Sequence, residues 1–321
     1  MKVFVLVDDD SSLFPAFLDH YRSLGCSKFI VGIRGDPSDA HFAFLHKFAQ
    51  LPDVEIERTY TGMLDCFKEL EWKQRLLSRY VDFTEWIIVA DLDEFHEYPR
   101  QLTDLIRRLD DGGYSCMMGW MLDRVAEDGS LLPYDPRKPI WQQYPWGLHF
   151  TREIAGACIN KVMLMRGPAQ LRMGHHFLAD AHVYPEHGIV HHFKWNSTAL
   201  KRLERRKLAY SSAGVHWADE SDRFLSNFRQ TGKIDTTEKR FYRRGRLRLD
   251  IPQHSQLQPP LPPREISFNI MTVHREPEYV FQTLASLFTS GQTVHNLGEI
   301  QLIEGSSDGS YLRTLEHHRR L

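Results

Sequence analysis

Two aspartates with metal-binding spacing, Asp91 and Asp93, follow an apolar run at residues 86–90. The run has the composition of a buried strand, and residues two apart leave a strand on the same side. Two such carboxylates can bind Mg²⁺ or Mn²⁺, ions that keep open coordination positions for diphosphate oxygens. The alternative is that both aspartates merely cap a loop. That alternative leaves the repulsion between two neighbouring ionised groups uncompensated.

The elements that must position these aspartates alternate between strand and helix. Apolar runs predict strands at residues 2–7, 29–33, 54–59, 86–90, 114–122 and 161–165, and helical spacing predicts helices near 13–24, 38–50, 62–80, 102–110 and 198–209. This alternation predicts an α/β fold, with a Rossmann-like, mostly parallel sheet and helices on both faces. Ligands bind beyond the carboxyl ends of such strands. We therefore expect the polar residues at 8–10, 34–39 and 91–94 to converge at one edge.

Composition excludes several broad classes of protein. The 321 residues are 42% hydrophobic and 26% charged, and the formal net charge of −2 lacks the basic excess of a nucleic-acid-binding protein. No apolar run reaches the roughly 18 residues of a membrane span, and the first residues do not match a signal peptide. The four cysteines are widely spaced and predict buried, reduced thiols: Cys26, Cys66, Cys116 and Cys158. These features together predict a cytoplasmic protein.

Three segments resemble a known family. Residues 86–95, which contain Asp91-Leu92-Asp93-Glu94-Phe95, are similar to the Asp-x-Asp-Glu-Phe signature of family-2-like glycosyltransferases with the GT-A fold. Residues 13–21, followed by Leu24-Gly25, resemble the first helix of that family. The segment His192-Phe193-Lys194-Trp195-Asn196-Ser197 resembles a His-aromatic-x-x-x-Ser segment near the end of its domain. The likeness covers roughly residues 2–210, and the aspartate motif is its most specific part.

The resemblance implies transfer of a sugar from a nucleotide-diphosphosugar to a hydroxyl of a glycan, a lipid-linked glycan or a protein. It implies that Asp93 ligates a divalent metal, that Asp91 contacts the metal or the ribose, and that a late histidine completes the coordination. His192 is our choice by motif position, and its rivals are His191, His175 and His176. An imidazole ligand would favour Mn²⁺ over Mg²⁺.

The nucleotide-sugar contacts are predicted at the ends of the first, second and fourth strands. The candidates are Asp8, Asp9, Arg34, Asp36 and Asp91. Here the chain departs from the family, which often carries Lys-Asn-Glu after strand one, where this chain has Asp8-Asp9-Asp10. The family also often has an Asn-x-Ser-x-Asp turn after strand two, where this chain has residues 34–39, Arg-Gly-Asp-Pro-Ser-Asp.

An inverting transferase needs a carboxylate base within hydrogen-bond reach of the acceptor hydroxyl. Asp123, Asp180 and Glu186 lie in the second half of the resembling region, and we select Asp180, with a surface carboxylate as the alternative for each. Flat aromatic faces also stack on sugar rings. The tryptophans of this region are therefore predicted either as acceptor walls or as core residues: Trp120, Trp141, Trp146 and Trp195.

The chain is predicted to divide into a glycosyltransferase domain at 1–232, a basic and then proline-rich linker at 233–265, and a partial strand–helix–strand unit at 266–321. The last unit is too small for a core of its own. It is either the opening of a second transferase-like domain, since residues 305–310 resemble a Ser-x-Asp-Gly turn, or an appendage docked on the first sheet.

Basic runs at 201–207 and 239–248 leave open a peripheral contact with the inner face of a membrane, against the alternatives of a solvated helix face and a charged linker. Two further functions remain as alternatives to sugar transfer. One is a metal-dependent phosphohydrolase that uses the histidine and aspartate clusters, and the other is a non-catalytic relative that binds sugar nucleotides.

Overall fold

The structure, a computed structural model, describes residues 1–8, 10–35, 40–58, 61–62, 64–179, 181–215, 217–236, 242–243, 266–272 and 297–304. Spatial proximity divides the chain into two compact units, Met1–Leu247 and Arg248–Leu321. The boundaries at 232 and 265 that the sequence indicates remain a prediction.

The strands of the first unit are β1 (Lys2–Val7), β2 (Lys28–Ile33), β3 (Val54–Arg58), β4 (Trp86–Val89), β5 (Glu94–Glu97), β6 (Cys116–Val125), β7 (Trp146–Leu148), β8 (Asn160–Arg166), β9 (Val183–His192) and β10 (Tyr242–Arg243). Its helices are α1 (Phe14–Ser23), α2 (Ala40–His46), α3 (Cys66–Tyr80), α4 (Leu102–Asp111), α5 (Ile140–Gln143), α6 (Phe150–Ala155), α7 (Ala199–Ser212) and α8 (Trp217–Thr231), with 3₁₀ turns at Phe48–Gln50 and Met173–His175.

The predicted α/β fold is confirmed. Strands β4, β1, β2 and β3 lie side by side in that order and are parallel throughout. Beyond β4 the sheet continues with β8, β6, β7 and β10, which join by antiparallel pairs. The parallel half brings the carboxyl ends of β1, β2 and β4 to one edge, as the sequence predicts.

Strict alternation along β1 explains why helices cover both faces of the sheet. Val3, Val5 and Val7 belong to one apolar cluster, together with buried side chains of α1, α2 and α4. Phe4 and Leu6 point to the opposite face, where they belong to a cluster with the apolar stripe of α3. Side chains of a strand alternate between the two faces of a sheet, so a continuous apolar run is buried on both.

Strand β9, which the sequence pattern does not predict, joins two parts of the sheet that are far apart in the chain. It pairs antiparallel with β5, where His192 lies opposite Glu94, and parallel with β6, where His192 lies opposite Asp123. Beyond the strand end, the amide of Phe193 donates to the carbonyl oxygen of Asp93 at 2.7 Å. The last residue of β9 is therefore held between the aspartate motif and β6.

A third apolar cluster joins α6, α7 and α8 and surrounds Trp195. The indole of Trp195 is fully buried against Phe150 and Phe224, at ring-centroid distances of 4.8 and 4.9 Å. It has no face left for a sugar, so the acceptor-wall prediction is wrong for Trp195 and the core interpretation holds there.

All four cysteines are free thiols, and Cys26 and Cys116 are buried. Across the described residues, no helix combines the length and the apolar character that crossing a bilayer requires. In the second unit, β11 (Ile266–Thr272) and β12 (Leu297–Glu304) pair in parallel. The helix predicted between them, and the turn at 305–310, lie outside the described residues.

Candidate active site

Predicted nucleotide contacts lie at the carboxyl edge of the parallel strands. Asp8 directly follows β1, Arg34 follows β2, and Asp91 lies just beyond β4. The buried guanidinium of Arg34 forms an ion pair with the carboxylate of Asp8, and its Nη1 donates to the carbonyl oxygen of Gly62 at 2.7 Å. The other two candidates, Asp9 and Asp36, lie outside the described residues, as does the predicted base Asp180.

Both carboxylate oxygens of Asp91 face lysines. Oδ1 lies 3.2 Å from Nζ of Lys73, and Oδ2 lies 3.4 Å from Nζ of Lys161. Burial would raise the pKa of Asp91, but these two ammonium groups and His175 outweigh it and hold that pKa well below its usual range. Asp91 is therefore an ionised carboxylate with internal counterions, and it remains partly open to solvent.

Glu94, to which the sequence assigns no role, lies at the centre of the same cluster. Its Oε1 accepts from Nζ of Lys161 at 2.6 Å, and its Oε2 lies 3.0 Å from Nε2 of His175. Burial acts to raise the pKa of Glu94, yet the net pKa is lowered because the charge of Lys161 dominates. A buried carboxylate is tolerated only when it is paired and hydrogen-bonded in this way.

The backbone that delivers His175 is in an unusual conformation. Gly174 and His175 have φ angles of 65° and 41°, both in the left-handed region. Glycine adopts this region readily, whereas a histidine is uncommon there. The turn directs a fully buried imidazole toward Lys73 and Glu94, and the carbonyl oxygen of Gly174 accepts from Nζ of Lys161 at 3.1 Å.

Asp93 and His192 form a separate pair at the end of β9. Oδ2 of Asp93 lies 3.8 Å from Nε2 of His192, and Nδ1 of His192 lies 2.9 Å from Oδ1 of Asp123. Asp123 is itself fixed, because it accepts from the amide of Thr151 at 2.6 Å and from the indole of Trp195 at 2.8 Å. An imidazole that donates a hydrogen bond from Nδ1 to a carboxylate has a lone pair on Nε2. This arrangement is typical of a metal-ligating histidine.

The other histidines have different partners. Nε2 of His191 lies 2.8 Å from Oε2 of Glu97, and Nδ1 of His176 lies 2.6 Å from the carbonyl oxygen of Asn160. Burial lowers the pKa of His176 to about 3, so this ring is neutral. Of the four histidines considered, His192 is paired with Asp93, through its Nε2.

Two groups of side chains have donor atoms for a metal ion, and each has a cation beside it: Lys161 in the first and Arg202 in the second. Ligand atoms of Asp91, Glu94 and His175 all lie within 4.8 Å of one another. Nζ of Lys161 approaches all three residues, at 3.4, 2.6 and 3.5 Å, so an ammonium group already supplies the positive charge there. The pair of Asp93 and His192 combines a hard carboxylate with an oriented imidazole, which suits a divalent ion of the first transition row.

Arg202 of α7 also pairs with Asp93, and Lys194 lies close by. Nη1 of Arg202 lies 3.3 Å from Oδ2 of Asp93, and Nη2 donates to the carbonyl oxygen of Lys194 at 2.5 Å. Burial lowers the pKa of Lys194 to about 7, and the charges of Arg206 and Arg202 add to this effect. Arg202, part of the basic run 201–207 for which a membrane contact or a solvated helix face was considered, thus faces the aspartate motif. Most of the second basic run, 239–248, lies outside the described residues.

Asp10 links the end of β1 to the start of α7. Its Oδ2 accepts from the hydroxyl of Thr198 at 2.9 Å, and its Oδ1 accepts from the amide of Ser12 at 2.9 Å. Burial acts to raise the pKa of Asp10, but these hydrogen bonds lower it on balance. Because Thr198 immediately precedes α7, this contact helps to place Arg202 one turn further along the helix.

Two carboxylates weighed as the catalytic base have structural partners. Asp123 is buried and accepts hydrogen bonds from Thr151, His192 and Trp195, so it orients other groups of the fold. Glu186 forms an ion pair with Arg100 at 2.5 Å. The selected base, Asp180, stays a prediction.

No protein-family model matches the sequence, and no curated protein matches it. Solved structures similar to the chain include HddC from Yersinia pseudotuberculosis, with 11% identity and a TM-score of 0.26 over 42% of this chain and 65% of that one. A 4-diphosphocytidyl-2C-methyl-D-erythritol synthase matches with 12% identity and a TM-score of 0.27, over 51% of this chain and 74% of that one. A nucleoside-diphosphate-sugar pyrophosphorylase from Vibrio cholerae RC9 matches with 13% identity and a TM-score of 0.22, over 42% and 62%. The chain thus spans less than two thirds of the first and third of these proteins.

Proposed function

We propose that the protein is a glycosyltransferase that takes its sugar from a nucleotide-diphosphosugar, with a divalent metal bound by Asp93 and His192. The observation that carries the proposal is the close approach of Asp93 and His192 at the carboxyl edge of the sheet, where Oδ2 and Nε2 lie 3.8 Å apart. The hydrogen bond from His192 to Asp123 supports it, because it leaves Nε2 as the ligating atom. When bound, the ion would neutralise charge that develops on the departing diphosphate.

Asp91 and the Asp8–Arg34 pair are assigned to the nucleotide. Both oxygens of Asp91 already face ammonium groups, which favours a hydrogen bond to a ribose hydroxyl over direct ligation of the metal. Asp8 and Arg34 offer a carboxylate and a guanidinium at the ends of the neighbouring strands, where a base or ribose of the donor would lie. The acceptor is a hydroxyl of a glycan, a lipid-linked glycan or a protein, as the family resemblance implies.

The function is tested with a panel of nucleotide-diphosphosugars in the presence of Mn²⁺ or Mg²⁺. We expect at least one donor to raise the unfolding temperature only when a metal is present, because a ligand that binds the native state stabilises it. We also expect the same donor to release free nucleotide faster when sugar acceptors are added. Asp93→Asn and His192→Ala should each lower the release rate by at least about a hundredfold, since the metal contributes several kcal/mol to such reactions.

The matched control is Asp104→Asn, which removes a carboxylate from an exposed position on α4 and should change neither binding nor release. Binding without release in any acceptor mixture would instead identify a non-catalytic sugar-nucleotide-binding protein. Hydrolysis of a simple phosphoester, with no donor bound, would replace the proposal with a metal-dependent phosphohydrolase.

A further inference from the structure

We propose that Lys194 and Arg202 form the subsite for the diphosphate group, next to the pair of Asp93 and His192. The inference rests on the proposed function, and it assigns the charged part of the donor to two residues that the motif resemblance does not identify as ligands. The subsite is built from the segment that follows β9 and from the first turns of α7.

The side chain of Lys194 is largely buried, and no hydrogen bond or ion pair of the described residues involves its Nζ. Only 8% of the residue is exposed, and the carboxylates of Asp123 and Asp93 act on its charge without an ion-pair contact. Its contacts are with aromatic faces, at 5.0 Å from the ring centroids of Trp195 and Phe224. Removing an ammonium group from water without a hydrogen-bond acceptor is costly. An anion bound beside Nζ would offset that cost.

Arg202 connects this ammonium group to the metal-binding pair. Its Nη2 donates to the carbonyl oxygen of Lys194 at 2.5 Å, while its Nη1 lies 3.3 Å from Oδ2 of Asp93. Its buried Nε has no hydrogen-bond partner within the described residues. The guanidinium therefore links the backbone of Lys194 to the carboxylate of Asp93. Arg206, four residues further along α7, lies on the same side of the helix.

Hydrogen-bonding capacity selects the class of ligand. The charges of Arg202 and Arg206 act on Lys194, and Arg202 also forms an ion pair with Asp93. The carboxylate of Asp123 already accepts hydrogen bonds from His192, Trp195 and Thr151. A neutral sugar or nucleoside offers no charged acceptor to Nζ of Lys194, whereas a diphosphate supplies several charged acceptor oxygens.

The position next to Asp93 and His192 also favours a diphosphate over a lone carboxylate. Hard divalent ions are bound through a few protein ligands together with phosphate oxygens of the substrate. A diphosphate has oxygens both for an ion at Asp93 and for the guanidinium of Arg202, whose Nη1 lies 3.3 Å from that carboxylate. The same leaving group would then be neutralised from two sides.

The test compares Lys194→Met with the wild-type protein by calorimetric titration of inorganic pyrophosphate and of the nucleoside diphosphates and nucleosides. We expect Lys194→Met to weaken binding of pyrophosphate and nucleoside diphosphates by about ten- to a hundredfold, the usual effect of losing a charge-assisted contact. Binding of uncharged nucleosides should not change. Lys194→Arg should retain most of the affinity. Lys201→Met, an exposed residue of α7, removes the same charge and should have little effect.

Unfolding of the ligand-free proteins distinguishes this role from a structural one. Replacing an unpaired buried cation by an apolar side chain should leave the melting temperature unchanged or raise it. A clear fall in melting temperature for Lys194→Met, together with unchanged pyrophosphate affinity in Arg202→Met, would overturn the subsite. Unchanged pyrophosphate affinity in Lys194→Met would overturn it directly.

Titrations with pyrophosphate in EDTA separate this inference from the proposed function. Binding of pyrophosphate that depends on Lys194, in a protein that binds no nucleotide sugar, supports the anion subsite and contradicts the glycosyltransferase proposal. Metal-dependent donor binding that is equal in wild type and Lys194→Met supports the glycosyltransferase proposal and contradicts the anion subsite. If the wild-type protein binds neither pyrophosphate nor a nucleoside diphosphate, both proposals are wrong.

Discussion

Nδ1 of His192 lies 2.9 Å from Oδ1 of Asp123, and this contact determines which nitrogen of the imidazole faces Asp93. Asp123 stands on β6 and has no contact with Asp93 among the hydrogen bonds and ion pairs of the described residues. It acts through His192, because a carboxylate that accepts the Nδ1 proton fixes both the tautomer and the ring orientation. The proposed metal site therefore depends on a buried residue that does not itself reach the ligand.

Asp123→Asn tests this dependence. We expect the variant to bind Mn²⁺ about ten- to a hundredfold more weakly than wild type, the usual cost of losing an outer carboxylate partner. The variant should also lose about 1–3 kcal/mol of unfolding free energy, because an amide NH₂ must now face either the donor of Thr151 or that of Trp195. Metal titration and urea unfolding measure the two effects. Equal Mn²⁺ affinity in Asp123→Asn and in the exposed control Asp104→Asn would contradict the positioning role.

Lys161→Met tests the internal counterion of the acidic cluster. Removing the ammonium group leaves Asp91 and Glu94 close together with one cation fewer, so we expect a loss of about 3–5 kcal/mol in unfolding free energy. Lys161→Met/Glu94→Gln should lose less than the sum of the two single changes, because the uncompensated charge is gone. Lys138→Met, at an exposed position, provides the baseline.

The same variant also tests which group of side chains binds the metal. With Lys161 removed, the donor atoms of Asp91, Glu94 and His175 within 4.8 Å of one another should accept an added divalent ion. We therefore expect the number of bound Mn²⁺ or Zn²⁺ ions to rise by one in Lys161→Met, with partial recovery of stability. An unchanged stoichiometry would indicate that the ammonium group does not exclude an ion from this group.

Arg202→Met should change metal and anion binding in opposite directions. Nη1 of Arg202 lies 3.3 Å from Oδ2 of Asp93, so the guanidinium competes with a cation for that carboxylate. Its removal should tighten Mn²⁺ binding in the absence of nucleotide by roughly tenfold, as the Coulomb repulsion is relieved. Pyrophosphate should bind more weakly. Titrations of both ligands check this, and a change of the same sign for both would rule out a shared position at Asp93.

Acid sensitivity should depend on His96. Burial lowers the pKa of His96 from 6.5 to about 3. Between these two pH values the His96 imidazole is protonated in the unfolded chain and neutral in the folded protein. The unfolding free energy should therefore fall as the pH drops below 6.5, with a contribution of up to about 1.4 kcal/mol per pH unit until the pH approaches 3. His96→Phe should remove this contribution, whereas His182→Phe, at an exposed position, should not. Urea unfolding at several pH values measures the slopes.

The sheet edge was predictable, and the strand that completes the site was not. The apolar runs of β1, β2 and β4 predict a buried parallel sheet, and their order in the chain predicts that Asp8, Arg34 and Asp91 share an edge. Strand β9 contains Pro185, Glu186, His187 and Gly188 in succession, so its first half carries no alternation of apolar and polar residues. Its pairing with β5 and β6 is a tertiary property that local pattern does not encode.

The internal counterions were also missed, although a weak signal for them exists. Lys73 lies within the apolar stripe of α3, next to Trp72 and one turn before Leu76 and Leu77. Lys161 shares a face of β8 with Met163, which is fully buried. A lysine inside an apolar stripe is usually interpreted as a solvated side chain, because a single sequence does not reveal which carboxylate lies opposite. Asp91 and Glu94 are those carboxylates here.

The pairing of β9 with β5 and β6 fixes the position of His192. That position does not depend on the length of the chain segment that precedes β9. Fixed backbone pairs hold His192 opposite Glu94 and Asp123, whatever path the residues between Arg166 and Val183 follow. Insertions or exchanges in that connecting segment, clear of Gly174 and His175, would leave the proposed metal ligands in place. A loss or gain of one residue within β9 would act differently, since it would turn His192 away and present His191 or Phe193 in its place. Apart from Gly174 and His175, which contact Lys161 and Glu94, the connecting segment is thus free to diversify, and the strand is not.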